Sequence, residues 1–185
     1  MSGISRKFEN AMMEAVRRRE KGDKRMRSLS ICIEGPAQSG KTHIARQHIE
    51  ELAKHGLVDK GKIAQFYHGD LDRMLTRDRS EIDRAFDRAD GGAIIIDDIS
   101  PLRTQEGREM QYYLERKIVE SISSDKCVVI LAGSPEGMEQ FRENSPLMAR
   151  MCDFIAITKE ADTALAHPTK ALQPLRFVKP PDTRK

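Results

Sequence analysis

An α/β domain built on a buried, mostly parallel sheet is the fold class this sequence predicts, because short all-apolar strands alternate with amphipathic helices. A glycine-rich turn after the first strand, and a later strand ending in two carboxylates, sharpen that expectation. The turn, Gly35 to Thr42, reads G-P-A-Q-S-G-K-T and fits G-x-x-x-x-G-K-[ST] at every fixed position. Leu29 to Ile33 before it reads as a short buried strand. His43 to Lys54 after it reads as a helix with Ile44, Ala45, Ile49, Leu52 and Ala53 on its apolar face. In that setting Gly35, Pro36, Ala37, Gln38, Ser39 and Gly40 form a loop whose backbone N–H groups, with the helix N-terminus, face nucleotide phosphates. Lys41 is placed to reach the β- and γ-phosphates, and the Thr42 hydroxyl to ligate Mg²⁺.

A chain of 185 residues suits one domain with a real core. Apolar residues make up 38% and charged residues 33%, the balance of a soluble, highly charged protein. No apolar run approaches the ~18 residues of a membrane span, and the N-terminus lacks the apolar stretch of a secretion signal. Cys32, Cys127 and Cys152 are widely spaced, without C-x-x-C, and read as small core residues in a reducing compartment. A cytoplasmic location, with no membrane partner, is therefore expected. The net charge of +3 is uneven: +5 over residues 1–29, +3 over 158–185 and −5 between them. The basic ends leave nucleic acid open as a partner; solubility and protein contacts are the plainer reading, since no nucleic-acid motif accompanies them.

The chain divides into a basic N-terminal helix and linker (1–28), a nucleotide-binding domain (29–157) and a proline-containing, extended tail (158–185). Residues 4–20 place Ile4, Phe8, Met12, Ala15 and Val16 on one helical stripe and end in Arg17-Arg18-Arg19, which suits the helix dipole. Arg25 and Met26 precede the first strand, where a base pocket is often lined. Gly56 reads as a left-handed cap and Ile63 to Tyr67 as the second strand. Ser80 reads as the N-cap of a short helix with Ile82, Ala85, Phe86 and Ala89 on its face. Ala93 to Ile96 is an all-apolar strand, Gly107 to Ile122 an amphipathic helix and Cys127 to Ala132 a further apolar strand. Pro135 to Arg142 reads as a short helix and Phe154 to Ile157 as a last strand, while His43 and His48 read as helix-surface residues.

The strand ending at Asp97-Asp98 should bring its tip beside the phosphate loop, at the carboxyl edge where open α/β sheets bind ligands. There Asp97 is expected to hold the Mg²⁺ shell and Asp98 to polarise an attacking water. Ser134, after the next strand, would reach the same edge, either to orient that water or to cap the following helix.

Four blocks in order are together similar to AAA+ ATPases: G-P-A-Q-S-G-K-T, G-G-A-I-I-I-D-D-I-S-P-L, V-V-I-L-A-G-S-P-E-G-M-E-Q-F and N-S-P-L-M-A-R. Within that family the chain most resembles the CbxX/CfqX-type group, which includes red-type rubisco activases. The resemblance covers roughly residues 29 to 157 and implies the AAA+ large subdomain, with a five-stranded sheet ordered 5-1-4-3-2. It further implies ATP and Mg²⁺ as ligands, ATPase activity, and assembly as a homo-oligomer or a ring with a related ATPase. It places Arg150 at the arginine-finger position, acting on a neighbour's ATP, with Arg142 as a weaker rival. Several positions depart from the group: Asp98 stands for the usual Glu, Ser134 for a Tyr and Met148 for an Arg-like position. Met74 and Leu75 replace the aromatic pore loop, and the 28 residues after the last strand are too few for the usual helical lid. An ATPase that remodels or regulates a protein client is the first expectation. A non-catalytic ATP-binding switch or scaffold, a DNA-associated accessory ATPase and, last, a nucleotide kinase are its alternatives.

Overall fold

The computed structural model describes residues 3–23, 29–67, 79–99 and 105–157. In chain order the elements are α1 (Gly3–Glu20), β1 (Ile31–Glu34), α2 (Lys41–Lys54), β2 (Ile63–Phe66), α3 (Ser80–Arg88) and β3 (Ala93–Asp97). They continue with α4 (Gln105–Ser123), β4 (Val128–Gly133), α5 (Pro135–Asn144), α6 (Pro146–Met151) and β5 (Asp153–Ala156). The five strands form one parallel sheet in the order β2-β3-β4-β1-β5, the order the family resemblance implies. Arg25, Met26, Met74, Leu75 and the 158–185 tail lie outside the described residues.

The central strands are apolar on both faces because helices cover both. Val128, Ile130, Ala93, Ile95, Ile31 and Ile33 point to one side, where α1 (Met12, Ala15) and α2 (Ala45, Ile49, Leu52) bury them. Val129, Leu131, Ile94, Ile96 and Cys32 point to the other, against α3 (Ile82, Phe86), α4 (Leu114, Ile118, Ile122), α5 (Met138, Phe141) and α6 (Met151). Each fully buried Ile or Leu stabilises the fold by about 1.5–3 kcal/mol relative to exposure, so these two layers are the main source of stability. On the second face Tyr113 of α4 donates its hydroxyl to Asp83 of α3 at 2.6 Å, and Lys117 pairs with the same carboxylate. The Lys117 hydrogen bond, then that of Tyr113, holds the Asp83 carboxyl below the ordinary carboxylate range.

Local expectations hold with informative exceptions. Gly56 has φ 66° and donates to Ala53, while Leu57 donates to Leu52, so the left-handed stop after α2 forms as read. Gly92 is required by packing: a Cβ there would sit 1.9 Å from the Lys62 carbonyl oxygen, where β2 and β3 begin side by side. Ser80 is the first helical residue of α3 and not its cap, because Arg79 occupies that position; the Ser80 hydroxyl instead accepts from Arg84. His48 is 6% exposed, buried under the start of β1, whereas His43 is exposed as expected. The six-residue α6, Pro146–Met151, interrupts a stretch with no helical periodicity of its own.

Strand register sets up the site. Glu34 of β1 lies opposite Gly133 of β4, and Asp97 of β3 opposite Ala132, so three strand ends meet at one edge with β4 between the other two. The crossover after β1 runs over one face and the chain from β4 to β5 returns over the other. The crevice between β1 and β4 is the switch point at which open α/β sheets take ligands.

Candidate functional site

The loop leaving β1 owes its shape to residues that tolerate left-handed backbone. Gln38 (φ 61°) and Gly40 (φ 84°) both adopt it, the kind of backbone from which anion-binding nests are built. Gly35 has no room for a side chain: a Cβ would lie 2.6 Å from the Ser39 hydroxyl and 3.1 Å from Ile157. The Ser39 hydroxyl is itself buried and has no hydrogen-bond partner, so the loop interior holds an orphaned polar atom. Lys41 folds its ammonium across the loop, donating to the carbonyls of Gly35 at 3.0 Å and Pro36 at 2.8 Å. A bound anion would compete for those N–H bonds directly.

At the second residue of α2, Thr42 donates its hydroxyl to Asp97 at 2.5 Å. This pairs an alcohol and a carboxylate oxygen, the hard donors Mg²⁺ prefers when water and phosphate complete its shell. Among the described residues no group of three His, Cys, Asp or Glu side chains could hold a metal ion. Asp98 follows in the left-handed region (φ 71°), with its N–H donating to Ala132 at 3.0 Å. A non-glycine residue there costs on the order of 1 kcal/mol, and such strain is concentrated at functional sites. Ala37 to His43, Asp97, Asp98 and Ser134 line one cleft of about 520 Å³. A second depression of about 580 Å³ runs between β2 and α3 and contains none of these groups.

The structure thus brings together Ala37, Gln38, Ser39, Gly40, Lys41, Thr42, Asp97, Asp98 and Ser134, with Gly35 and Pro36 at the loop's root. Ser134 is the N-cap of α5, its hydroxyl accepting from Gly137 N–H at 3.1 Å, so the capping reading holds whatever else it does. Arg150 stands apart. It is exposed on the last turn of α6, three residues before Asp153, which pairs with Ile31 at the opposite end of β1 from the loop. A four-residue strand, about 13 Å long, separates those two edges of the sheet. Arg142 is bound within its own chain, to the Glu34 carboxylate and over the Phe154 ring. The partnership with Glu34 and the entry of His43 into the cleft have no local sequence signal; only the fold reveals them.

These features define the class: a parallel α/β domain with a P-loop cleft, and its strand order is that of the AAA+ large subdomain. DnaA from Aquifex aeolicus with bound AMPPCP superposes with a TM-score of 0.58 at 17% identity, over 94% of this chain and 55% of that one. The DnaC helicase loader superposes at 0.56 and 13% identity, over 80% of this chain and 86% of that one. In sequence the chain is similar to the chromosomal and plasmid CbxX proteins of Cupriavidus necator, 29% identical to each over 128 residues. That match takes in 66% of this chain and spans 40% of either relative. No family model matches. The chain has the fold of AAA+ ATPases and, among them, resembles CbxX.

Proposed function

We propose that this protein binds Mg·ATP in the Gly35–Thr42 cleft and hydrolyses it in an assembly that remodels or regulates a protein partner. The observation that carries the reading is the Thr42–Asp97 hydrogen bond at the mouth of a loop with an orphaned Ser39 hydroxyl. Mg·ATP, when bound, supplies the phosphoryl group and the cation that neutralises its charge. Loop N–H groups and Lys41 hold the phosphates, and Thr42 with Asp97 holds the Mg²⁺ side. Asp98 accepts a proton from the attacking water, and Ser134, fixed as a helix cap, lines its approach. Arg150 lies at the far edge of its own sheet, so its guanidinium serves a neighbouring subunit's cleft, which makes assembly part of catalysis.

ATP turnover measured against protein concentration tests this. The specific rate should rise with assembly. Asp98→Asn should lower turnover about 100-fold with nucleotide affinity intact, the scale of general-base catalysis. Arg150→Ala should lose about 1,000-fold, the low end of the range for a finger supplied in trans. A rate unaffected by assembly or by Arg150→Ala removes the finger in trans, a rate unaffected by Asp98→Asn removes Asp98 as the base, and ATP binding without measurable turnover leaves an ATP-binding switch.

A second reading draws on the likeness to DnaC and on the basic last turn of α1, where Arg17 and Arg19 are exposed. A DNA-associated accessory ATPase should bind single-stranded oligonucleotide with affinity that falls steeply with salt. No binding at low salt would exclude it.

A further inference from the structure

Arg142 stands near the end of α5, yet its guanidinium reaches back across the sheet to the carboxylate of Glu34, the last residue of β1. The same group lies over the Phe154 ring of β5, 4.1 Å from its centroid. One side chain therefore ties α5 to two adjacent strands, at the residue from which the phosphate loop departs. Opposite Glu34 on β4 is Gly133; a Cβ there would crowd Ile99 and Met138 at 3.3 Å. The backbone of the same junction is pinned on either side. Ile157 N–H donates to the Glu34 carbonyl at 2.7 Å and Gly35 N–H to the Gly133 carbonyl at 3.1 Å.

Beyond that junction the loop has little of its own to hold it. Ser39 N–H reaches Pro36 at 3.3 Å, and the Lys41 ammonium spans two carbonyls that a phosphate would compete with. Gln38 and Gly40 are both left-handed and the Ser39 hydroxyl is unpaired. A loop with so few internal bonds takes its direction from its root. An exposed ion pair would matter little to it, but Glu34 keeps only 20% of its side-chain surface and Arg142 38%, with an aromatic ring beneath the cation.

We propose that Arg142 is a positioning residue for the phosphate loop: by holding Glu34 it fixes the direction in which Gly35 to Gly40 leave the sheet. The proposal deepens the nucleotide-binding reading and rests on it for its functional consequence. Its geometric part can be read without any nucleotide.

The test compares amide hydrogen exchange and Mg·ATP affinity in the full chain and in Arg142→Ala, Arg142→Lys and Glu34→Gln. Arg142→Ala should speed exchange at Gly35 and Ala37 to Gly40 about tenfold, with β3 and α3 unchanged, and weaken Mg·ATP by a similar factor. Arg142→Lys should recover part of both effects, keeping the charge without the planar contact to Phe154. Glu34→Gln should fall between, and combining it with Arg142→Ala should add nothing further. Loop exchange that is unchanged, or faster only in step with the whole domain, overturns the proposal. Should Arg142→Ala not fold, the Lys and Gln variants decide by the same readings. Selective loop exchange in a protein whose unaltered form does not bind Mg·ATP upholds the positioning role and refutes the nucleotide reading instead.

Discussion

Replacing Lys41 with Ala should abolish measurable Mg·ATP binding, lowering affinity by at least about 100-fold, or roughly 3 kcal/mol. Two charge-assisted hydrogen bonds from an ammonium to phosphate oxygens, each worth about 1.5–3 kcal/mol, account for a loss of that size. The loop already shows where the ammonium works, since Lys41 spans the Gly35 and Pro36 carbonyls across its mouth. Those contacts are surrendered when a phosphate arrives, so the net gain is smaller than the gross one and the estimate is held near the lower bound. Stability should change little, because Lys41 is half-buried at the start of α2 and its partners are carbonyls that water can satisfy. Fluorescent-nucleotide titration beside thermal unfolding separates the two effects. Binding retained within threefold would mean that the cleft does not hold its phosphates through Lys41. Thr42→Ala provides the complementary probe, since it removes the Asp97 contact while leaving the lysine in place.

The parts of this architecture that could be read from sequence are those whose cause is local. Gly35 to Thr42 announce a loop because glycine, lysine and threonine must stand at fixed offsets for one turn to face one ligand. Asp97 was legible because a run of four apolar residues ends at it, and a buried strand can carry a charge only at its tip. What was hidden depends on neighbours distant in the chain. The sequence distance from Glu34 to Arg142 is 108 residues, and nothing in either segment marks the pairing. The α6 turn is set by Pro146 at its first positions and by packing of Met151, with too few residues for a period to show. His48 misled for the same reason. Its helix position reads as polar surface, but the approach of Leu29, two residues before β1, buries that flank of α2.

That buried histidine predicts a stability loss in mild acid. The His48 ring is 6% exposed and its Nε2 lies 3.0 Å from the Leu29 carbonyl, which can only accept, so the neutral ring carries its proton on Nε2. Burial pushes the imidazole pKa down from 6.5 to about 4, with the Leu29 carbonyl opposing part of the shift. The folded pKa is thus below the unfolded one, and the unfolded chain takes up its proton first as pH falls. His48 costs the fold nothing above pH 6.5 and progressively more between 6.5 and about 4. The loss should reach about 2 kcal/mol at pH 5 and about 3 kcal/mol below pH 4. For a domain of this size 2 kcal/mol corresponds to a fall in Tm of about 4–8 °C. The two lysine-paired carboxylates Asp83 and Glu51 do not mimic this window. They are held below their ordinary values of 3.8 and 4.5 by Lys117 and Lys54, so their contributions fade at lower pH. His48→Gln keeps a donor for Leu29 without a titrating ring, and should flatten the unfolding midpoint between pH 6.5 and 5. An equally steep decline in that variant would assign the acid sensitivity to another group. Because α2 is also the helix on which Lys41 and Thr42 are mounted, the same titration should loosen the nucleotide cleft's foundation.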